Sequence, residues 1–325
     1  MTTLYLVRHA EAEGNAYRRI DGWYNSLITP NGLLQIEALG RRFAEIPIDA
    51  CYASDRYRTC KTAGAVYLPK KLPLQTDRRL REVGFGRWEN LPFGYLERFE
   101  PERLWQFNHD TEHWQVEGGE CWPEFTSRFE AALRDIACAN AGKTVAVFAH
   151  GSVLRAFQQR LLPDGKAPYC DNTAVSCLQY EDGAFQIDFL NDASHLTPEI
   201  STFERQKWWR EGGDRRDFNM WYRETAPGCF EALLHDTVVG RVSTRLCTLD
   251  TGEITDLALE EAYRGQRLGE QLIGCAVCHL RAKGAKRLIV QLSPEHPARG
   301  FFRYFGFTEQ GNAILERSIE VPALP

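Results

Sequence analysis

Leu4-Tyr5-Leu6-Val7-Arg8-His9-Ala10-Glu11 carries an apolar strand straight into an arginine–histidine pair. In open α/β sheets ligands bind at the carboxyl ends of parallel strands, and Arg8 beside His9 sets a fixed cation next to a nucleophile. The pattern recurs where Thr144-Val145-Ala146-Val147-Phe148-Ala149 runs into His150-Gly151-Ser152. If these strands lie side by side in one sheet, both histidines stand at the same edge and face one reacting atom. That arrangement points to phosphoryl chemistry.

Outward from these strands the chain alternates strand and helix. Thr29-Pro30-Asn31-Gly32 opens a helix, with Thr29 as N-cap and Pro30 in the first turn. Leu33, Leu34, Ala38, Leu39 and Phe43 give it an apolar face. Ala50–Ala53 reads as a second strand, closed by Ser54-Asp55 and followed by Arg56, Arg58 and a helix from Thr59. Helices over Phe125–Ala139 and Val153–Leu162 flank the strand that precedes His150. The pattern predicts an α/β, three-layer domain: a mostly parallel sheet with helices on both faces. Past Leu196-Thr197-Pro198-Glu199 polar and charged residues dominate, and a β-rich rhythm begins after Phe218. This places a first domain at 1–200, a linker at 201–216 and a smaller second domain at 217–325. Trp208 and Trp209 in the linker are expected to pin the domains together rather than to bind a ligand.

Composition sets outer limits. The chain has 325 residues, 43% of them hydrophobic, enough for two cores. No apolar run approaches the ~18 residues of a membrane span, and Met1-Thr2-Thr3 lacks the basic start of a secretory signal, so a cytoplasmic protein is expected. The 10 cysteines show no paired metal-ligand spacing and read as buried, reduced thiols. A formal charge of -5 argues against a general nucleic-acid or membrane surface, so any anion site is local.

Five motifs in order give 1–196 a specific resemblance to the histidine phosphatase, or phosphoglycerate mutase-like, family: Arg8-His9-Ala10-Glu11 with Asn15; Ile28-Thr29-Pro30-Asn31-Gly32; Ser54-Asp55-Arg56-Tyr57-Arg58-Thr59; Leu80-Arg81-Glu82-Val83 with Gly86-Arg87-Trp88-Glu89; and His150-Gly151. Ala10 stands where glycine is usual. The resemblance implies that His9 attacks phosphorus and becomes phosphohistidine, and that Arg8, Arg58 and His150 hold the phosphoryl oxygens. Asn15 and Gly151 would touch the substrate. Glu82 would protonate the leaving oxygen and then activate water. Neighbouring guanidinium groups would keep His9 neutral, and the free amides at the start of the helix after His150 would suit an anion. Neither a cofactor nor a metal is implied. The alternatives are a mutase-like phosphotransferase and a phosphate-binding pseudoenzyme.

Between Phe85 and Trp122 nine aromatic residues alternate with Glu97, Glu100, Glu102, Asp110, Glu112 and Glu117. The segment reads either as an aromatic-lined lid or as a satellite core, and its acidic residues disfavour a polyanionic substrate. It is more compact than the insertion the family's mutases use for a second phosphate, which favours hydrolysis. His109-Asp110-Thr111-Glu112-His113 matches an inverted zinc-protease pattern, but no third ligand accompanies it. Cys275 and Cys278 share a helix face and are expected to pack on the sheet.

In the second half a strand over Glu253–Leu259, a turn at Tyr263-Arg264-Gly265-Gln266-Arg267-Leu268-Gly269 and a helix over Glu270–Ala282 form an anion cradle. With a hairpin at Phe230–Leu234 and Val238–Val242, a strand at Arg287–Leu292, and Gly300-Phe301-Phe302 leading to Gly306-Phe307, 217–321 resembles GNAT-type N-acetyltransferases. That implies a mixed, mostly antiparallel sheet. It also implies acetyl-CoA as co-substrate, held by Leu257, Leu259, Arg264, Gly265, Gln266, Arg267, Leu268 and Gly269, with an amine as acceptor. Three departures stand out. Arg267 replaces the middle glycine, which normally lets backbone approach the pyrophosphate. Phe302 replaces the tyrosine that protonates the thiolate, with Tyr304 nearby. Between Tyr222 and Phe230 there is no room for the two helices that usually shape the acceptor site. Glu253 or Asp256 is the candidate base. Acetyl transfer and a non-catalytic acetyl-CoA-binding module both remain open.

Overall fold

The computed structural model describes residues 1–212 and 214–323, and of Lys207 and Trp208 only the backbone, so the side chain of Trp208 lies outside the described residues. The first domain contains β1 (Thr2–Arg8), α1 (Glu13–Tyr17), α2 (Pro30–Phe43), β2 (Ala50–Ala53), α3 (Tyr57–Tyr67), β3 (Leu74–Thr76), α4 (Phe93–Phe99), α5 (Pro101–His109), α6 (Trp122–Ala139), β4 (Thr144–Ala149), α7 (Gly151–Leu161), β5 (Val175–Glu181) and β6 (Ala184–Asp192). The sheet order is β3-β2-β4-β1-β5-β6. Its first four strands are parallel, and β5 and β6 add an antiparallel edge.

A central parallel strand is covered on both faces and so reads as a continuous apolar run. β1 shows this: Leu4 and Leu6 pack with Phe125, Phe129 and Leu133 of α6, whereas Val7 faces Phe43, Phe148 and the α2–α3 side. The side chain of Thr29 caps α2 by accepting from the Gly32 amide at 2.9 Å. The buried face of α2 is Gln35, Ala38, Leu39 and Phe43, one residue group off the predicted stripe. Leu33 and Leu34 are each 50% exposed, because Gln35 is turned inward by polar partners, accepting from the Glu11 amide and donating to Thr202.

After α8 (Lys207–Glu211) the second domain contains β7 (Trp221–Ala226), β8 (Cys229–Leu234), β9 (Thr237–Leu246), β10 (Thr251–Leu259), α9 (Leu268–Ala282), β11 (Arg287–Gln291), α10 (Arg299–Tyr304), β12 (Thr308–Glu309) and β13 (Ile314–Ser318). The sheet order is β12-β13-β11-β10-β9-β8-β7, parallel only between β10 and β11. A two-residue turn at Pro227-Gly228 joins β7 to β8, so the hairpin carries no covering helix of its own. The first domain covers it: α4 packs on β7, with Phe99 edge-on to Trp221 at 5.4 Å, and α1 packs on α9.

The α1–α9 contact is close because Gly274 has no side chain; a Cβ there would lie 2.4 Å from the Tyr17 ring. Tyr17 is accordingly part of the second domain's core, beside Leu272, Ile273 and Leu315. Glu13, one turn earlier, is buried and accepts from Arg281 of α9 at 2.9 Å and from Arg317 of β13 at 2.8 Å, while Arg317 also donates to the Tyr17 hydroxyl. Removing one partner of a buried ion pair strands the other charge in a low dielectric. Glu13→Ala is therefore expected to lower stability by about 3–5 kcal/mol, read by urea unfolding against the wild type. A loss under about 1 kcal/mol would show that the network contributes little.

Candidate active site

Because β1 and β4 are in parallel register, with Arg8 opposite Ala149, His9 and His150 leave adjacent strand ends. Their rings meet edge to face, centroids 5.2 Å apart. His9 is buried, and its Nδ1 donates to the Ala10 carbonyl at 2.8 Å, which leaves the Nε2 lone pair bare. Burial, then Arg58 and Arg8, hold the His9 pKa well below the ordinary histidine value. His150, fully buried, is also held well below it by burial, then by Arg58 and His9. Its Nε2 lies 2.9 Å from Ser54 Oγ.

Arg58, in the first turn of α3, is fully buried, and its terminal nitrogens donate to the carbonyls of Tyr24, Asp21 and Gly22. Arg8 donates to the Cys170 carbonyl and stacks over Gly151, where a Cβ would come within 3.1 Å of Arg8 Nε. Arg8 Nε, Arg58 Nε and His150 Nδ1 are buried with no hydrogen-bond partner among the described residues. A buried donor left unpaired costs about 1–3 kcal/mol, so the two guanidinium N–H groups of Arg8 and Arg58 beside one imidazole mark a site built for an acceptor.

A cavity of 490 Å³ opens on this cluster, lined by Arg8, His9, Asn15, Glu82 and Gly151 from the predicted set; Arg58 and His150 lie buried beside His9 without lining it. The Glu82 carboxylate accepts from the amides of Ser152 (2.9 Å) and Val153 (3.0 Å). The helix-start amides expected to face the anion thus serve Glu82 instead and fix it at the head of α7. Asn15 Oδ1 accepts from the Ala12 amide and from Asn172, which in turn bonds the His9 carbonyl.

Several lining residues escape sequence reasoning. Arg18, Arg19, Arg155 and Arg215 line the cavity, as do Phe203, Gln206 and Trp209 of the linker. Off-motif arginines carry no local signal, although the Arg18-Arg19 doublet so soon after His9 is a visible cue. Trp209 packs on Phe203 of the linker and on Tyr169 of the first domain and lines this cavity. None of the six acidic residues between Glu97 and Glu117 lines the cavity, although Glu97 acts electrostatically on two of its arginines, Arg18 and Arg215. Glu100, for example, is turned to Arg87 and Arg103. The aromatic segment divides its roles, with Trp88 and Trp114 fully buried in the core and Phe93, Phe107 and Trp122 at the cavity wall. Among the described residues no three His, Cys, Asp or Glu side chains form a metal-binding group, and His109 stacks on Trp105 while His113 pairs with Asp110.

In the second domain a 920 Å³ cavity runs along Leu257, Ala258 and Leu259 to Arg264, Gly265, Arg267 and Gly269. Gln266 lines a neighbouring crevice, and Leu268 is buried in the core. Arg267 takes the left-handed conformation (φ 63) at the head of α9 and pairs with Glu270. Phe302 is buried in the core, whereas Tyr304 lines the cavity and its hydroxyl accepts from Arg205 of the linker. Glu253 is buried and paired with Arg245, and Asp256 is paired with Arg241.

Fold and site define a phosphoryl-transfer domain joined to an acyltransferase-type domain, and comparison with known proteins gives the same division. Residues 4–193 match the histidine phosphatase superfamily (branch 1), and 194–307 match the acetyltransferase (GNAT) family. The chain belongs to the histidine phosphatase superfamily and carries a GNAT domain. It is 30% identical over 217 residues to the probable phosphoglycerate mutase GpmB of Yersinia pestis (strain Pestoides F), spanning 63% of this chain and 100% of that protein. YhfR of Bacillus stearothermophilus is similar in structure, with a TM-score of 0.57 and 30% identity over 60% of this chain and 99% of its own. A phosphoglycerate mutase from Bacillus anthracis str. Sterne gives 0.54 and 26% over 60% and 94%. Among the described residues no helix is long and apolar enough to cross a membrane.

His9 and His150 are both held below the ordinary histidine pKa, so the sign of their pH effect is fixed. A folded pKa below the unfolded value of about 6.5 gives a stabilising contribution complete above pH 6.5 and lost as pH falls through the folded pKa. In labelled protein at pH 5.5, the imidazole signals of His9 and His150 are expected to report neutral rings. His113, raised by its bond to Asp110, should be cationic. A His9 midpoint near 6.5 would contradict the cation cluster.

Proposed function

We propose that the first domain hydrolyses a small phosphorylated metabolite through a phosphohistidine at His9. The carrying observation is the bare Nε2 of His9 with two unpaired guanidinium donors, Arg8 Nε and Arg58 Nε, and the unpaired Nδ1 of His150 buried around it. The His9 Nε2 pair forms a bond to phosphorus as the ester P–O bond breaks, and Glu82 gives its proton to the departing oxygen. In the second half, water loses a proton to Glu82 and attacks phosphorus as the P–N bond breaks, returning both groups to their starting states. The cations neutralise charge on the equatorial oxygens throughout. No metal or cofactor enters these steps. Names of relatives such as the probable phosphoglycerate mutase GpmB raise transfer to a second alcohol as the rival outcome. The compact segment after Glu82 favours water.

For the second domain the proposal is acetyl-CoA binding along Leu257–Leu259 and the Arg264–Gly269 turn. Phe302 is in the core, the Tyr304 hydroxyl is held by Arg205, and the Glu253 carboxylate is held by Arg245. Tyr304 keeps its hydroxyl proton while accepting from Arg205, and Glu199 and Glu204 also line the cavity, so transfer to an amine and a non-catalytic binding module both remain open.

His9→Ala is expected to reduce p-nitrophenyl phosphate hydrolysis to background, and Glu82→Gln to lower kcat by about 10²–10⁴-fold, with EDTA having no effect. Undiminished activity in His9→Ala would overturn the assignment. Incubation with 3-phosphoglycerate separates the outcomes, as free phosphate marks hydrolysis and 2-phosphoglycerate marks mutase activity. Acetyl-CoA that binds but is not consumed with an amine panel would agree with the binding module.

A further inference from the structure

Along the C-terminal half of α9 the two domains form a further cavity, of 250 Å³. Arg19, Asn90 and Tyr95 come from the first domain, and Phe230, Cys275 and His279 from the second. It has no lining residue in common with the large cavity of the second domain and shares only Arg19 with that of the first. Ligand pockets typically measure about 300–1,000 Å³, so an occupant here is small.

The cation in this wall lacks an anion. Arg19 Nε donates to the Asn90 carbonyl at 2.9 Å and to Asn90 Oδ1 at 3.1 Å, while Nη1 is buried with no hydrogen-bond partner among the described residues. No carboxylate lines the cavity among the described residues. The groups that act on the Arg19 charge are the weak acids Cys278, Tyr222 and Cys275. None of them supplies a negative charge near neutral pH: burial pushes the Cys275 thiol up to about 12 and raises the Cys278 thiol and the Tyr222 phenol above their ordinary values. Tyr222 donates to the Gln271 carbonyl at 2.7 Å, and the Cys278 thiol to Asn90 Oδ1 at 3.2 Å. All three line this cavity and none lines the phosphatase cavity, so the guanidinium belongs to this side.

A cation drawn out of water is costly unless it is paired, and a guanidinium fork matches a carboxylate through two parallel N–H bonds. The rest of the wall is apolar and aromatic, with Pro92, Tyr95, Tyr222 and Phe230, and Phe230 stands edge-on to the His279 ring at 4.9 Å. His279 is held below the ordinary histidine pKa by burial and then by Lys283, against the pull of Glu224, so it adds no second charge. One cation among rings suits a monoanion with a flat body. A dianion would leave one charge unmatched.

We propose that this interdomain cavity binds a small aromatic monocarboxylate, its carboxylate forked by Arg19 and its ring against Tyr95 of one domain and Phe230 of the other. The proposal does not depend on the functions proposed above. A ligand seated there touches both domains, so binding adds to the contact that holds them together.

Benzoate is the probe and benzamide its uncharged counterpart. Calorimetric titration of the full chain is expected to show benzoate binding at least tenfold tighter than benzamide, with Tm raised by benzoate and not by benzamide at equal concentration. Arg19→Gln in the first domain and Phe230→Leu in the second are each expected to weaken benzoate about tenfold. Tyr95→Ala, at a position 36% exposed, removes a ring from the same wall with little risk to folding and should weaken it as well. Arg155→Gln, which alters only the phosphatase cavity, should leave benzoate affinity unchanged. Absence of benzoate binding to the wild type, benzamide binding as tightly as benzoate, or undiminished affinity in the Arg19 and Tyr95 variants overturns the proposal. A tenfold loss in Arg155→Gln would place benzoate in the phosphatase cavity and overturn it too.

Discussion

One carboxylate ties the molecule together. Glu13 sits in the five-residue α1, buried between Arg281 and Arg317 of the second domain. Two guanidinium groups drawn out of water are tolerable only if an anion meets them with good geometry, and α1 is the element that brings it. α1 begins four residues after His9, carries Asn15 into the first domain's cavity and is followed by Arg18 in that cavity's wall. Its partner α9 is the helix that follows the Arg264–Gly269 turn along the second cavity. The contact that holds the domains together therefore also fixes the distance between their two sites.

Around His9 the protein accepts a standing electrostatic cost. Buried arginines suppress protonation of both histidines, and several of their nitrogens are left without acceptors. Such an arrangement is costly for the fold and would be offset by an anion, the general way a preorganised site favours developing negative charge. Glu82 is placed by the same helix start that carries His150, so the carboxylate and the second histidine are anchored to one element.

What the sequence made legible is what strand periodicity and turn chemistry encode locally. Two apolar runs ending in Arg8-His9 and in His150 were enough to place both imidazoles at one sheet edge, and Thr29-Pro30 enough to start α2. Long-range choices were not visible. Leu33 and Leu34 face solvent because the polar Gln35 is drawn inward by Glu11 and Thr202. The acidic run after Phe85 supplies no carboxylate to the cavity's lining, where Arg18, Arg19, Arg155 and Arg215 stand with Asp21 and Glu82, although Glu97 acts on Arg18 and Arg215 from behind. A polar linker likewise gave no sign that Phe203, Gln206 and Trp209 would wall one cavity while Arg205 and Arg210 wall the other.

The shortest element explains the fusion best. A sheet with one face uncovered must bury it against something, and the two-residue turn between β7 and β8 removes the helices that would do so within the second domain. Tyr17, Ala16 and α4 of the first domain take their place, and Gly274 permits the approach that a larger residue would block. The second domain thus buries that face against the first while keeping an open cavity along Leu257–Leu259 and the Arg264–Gly269 turn.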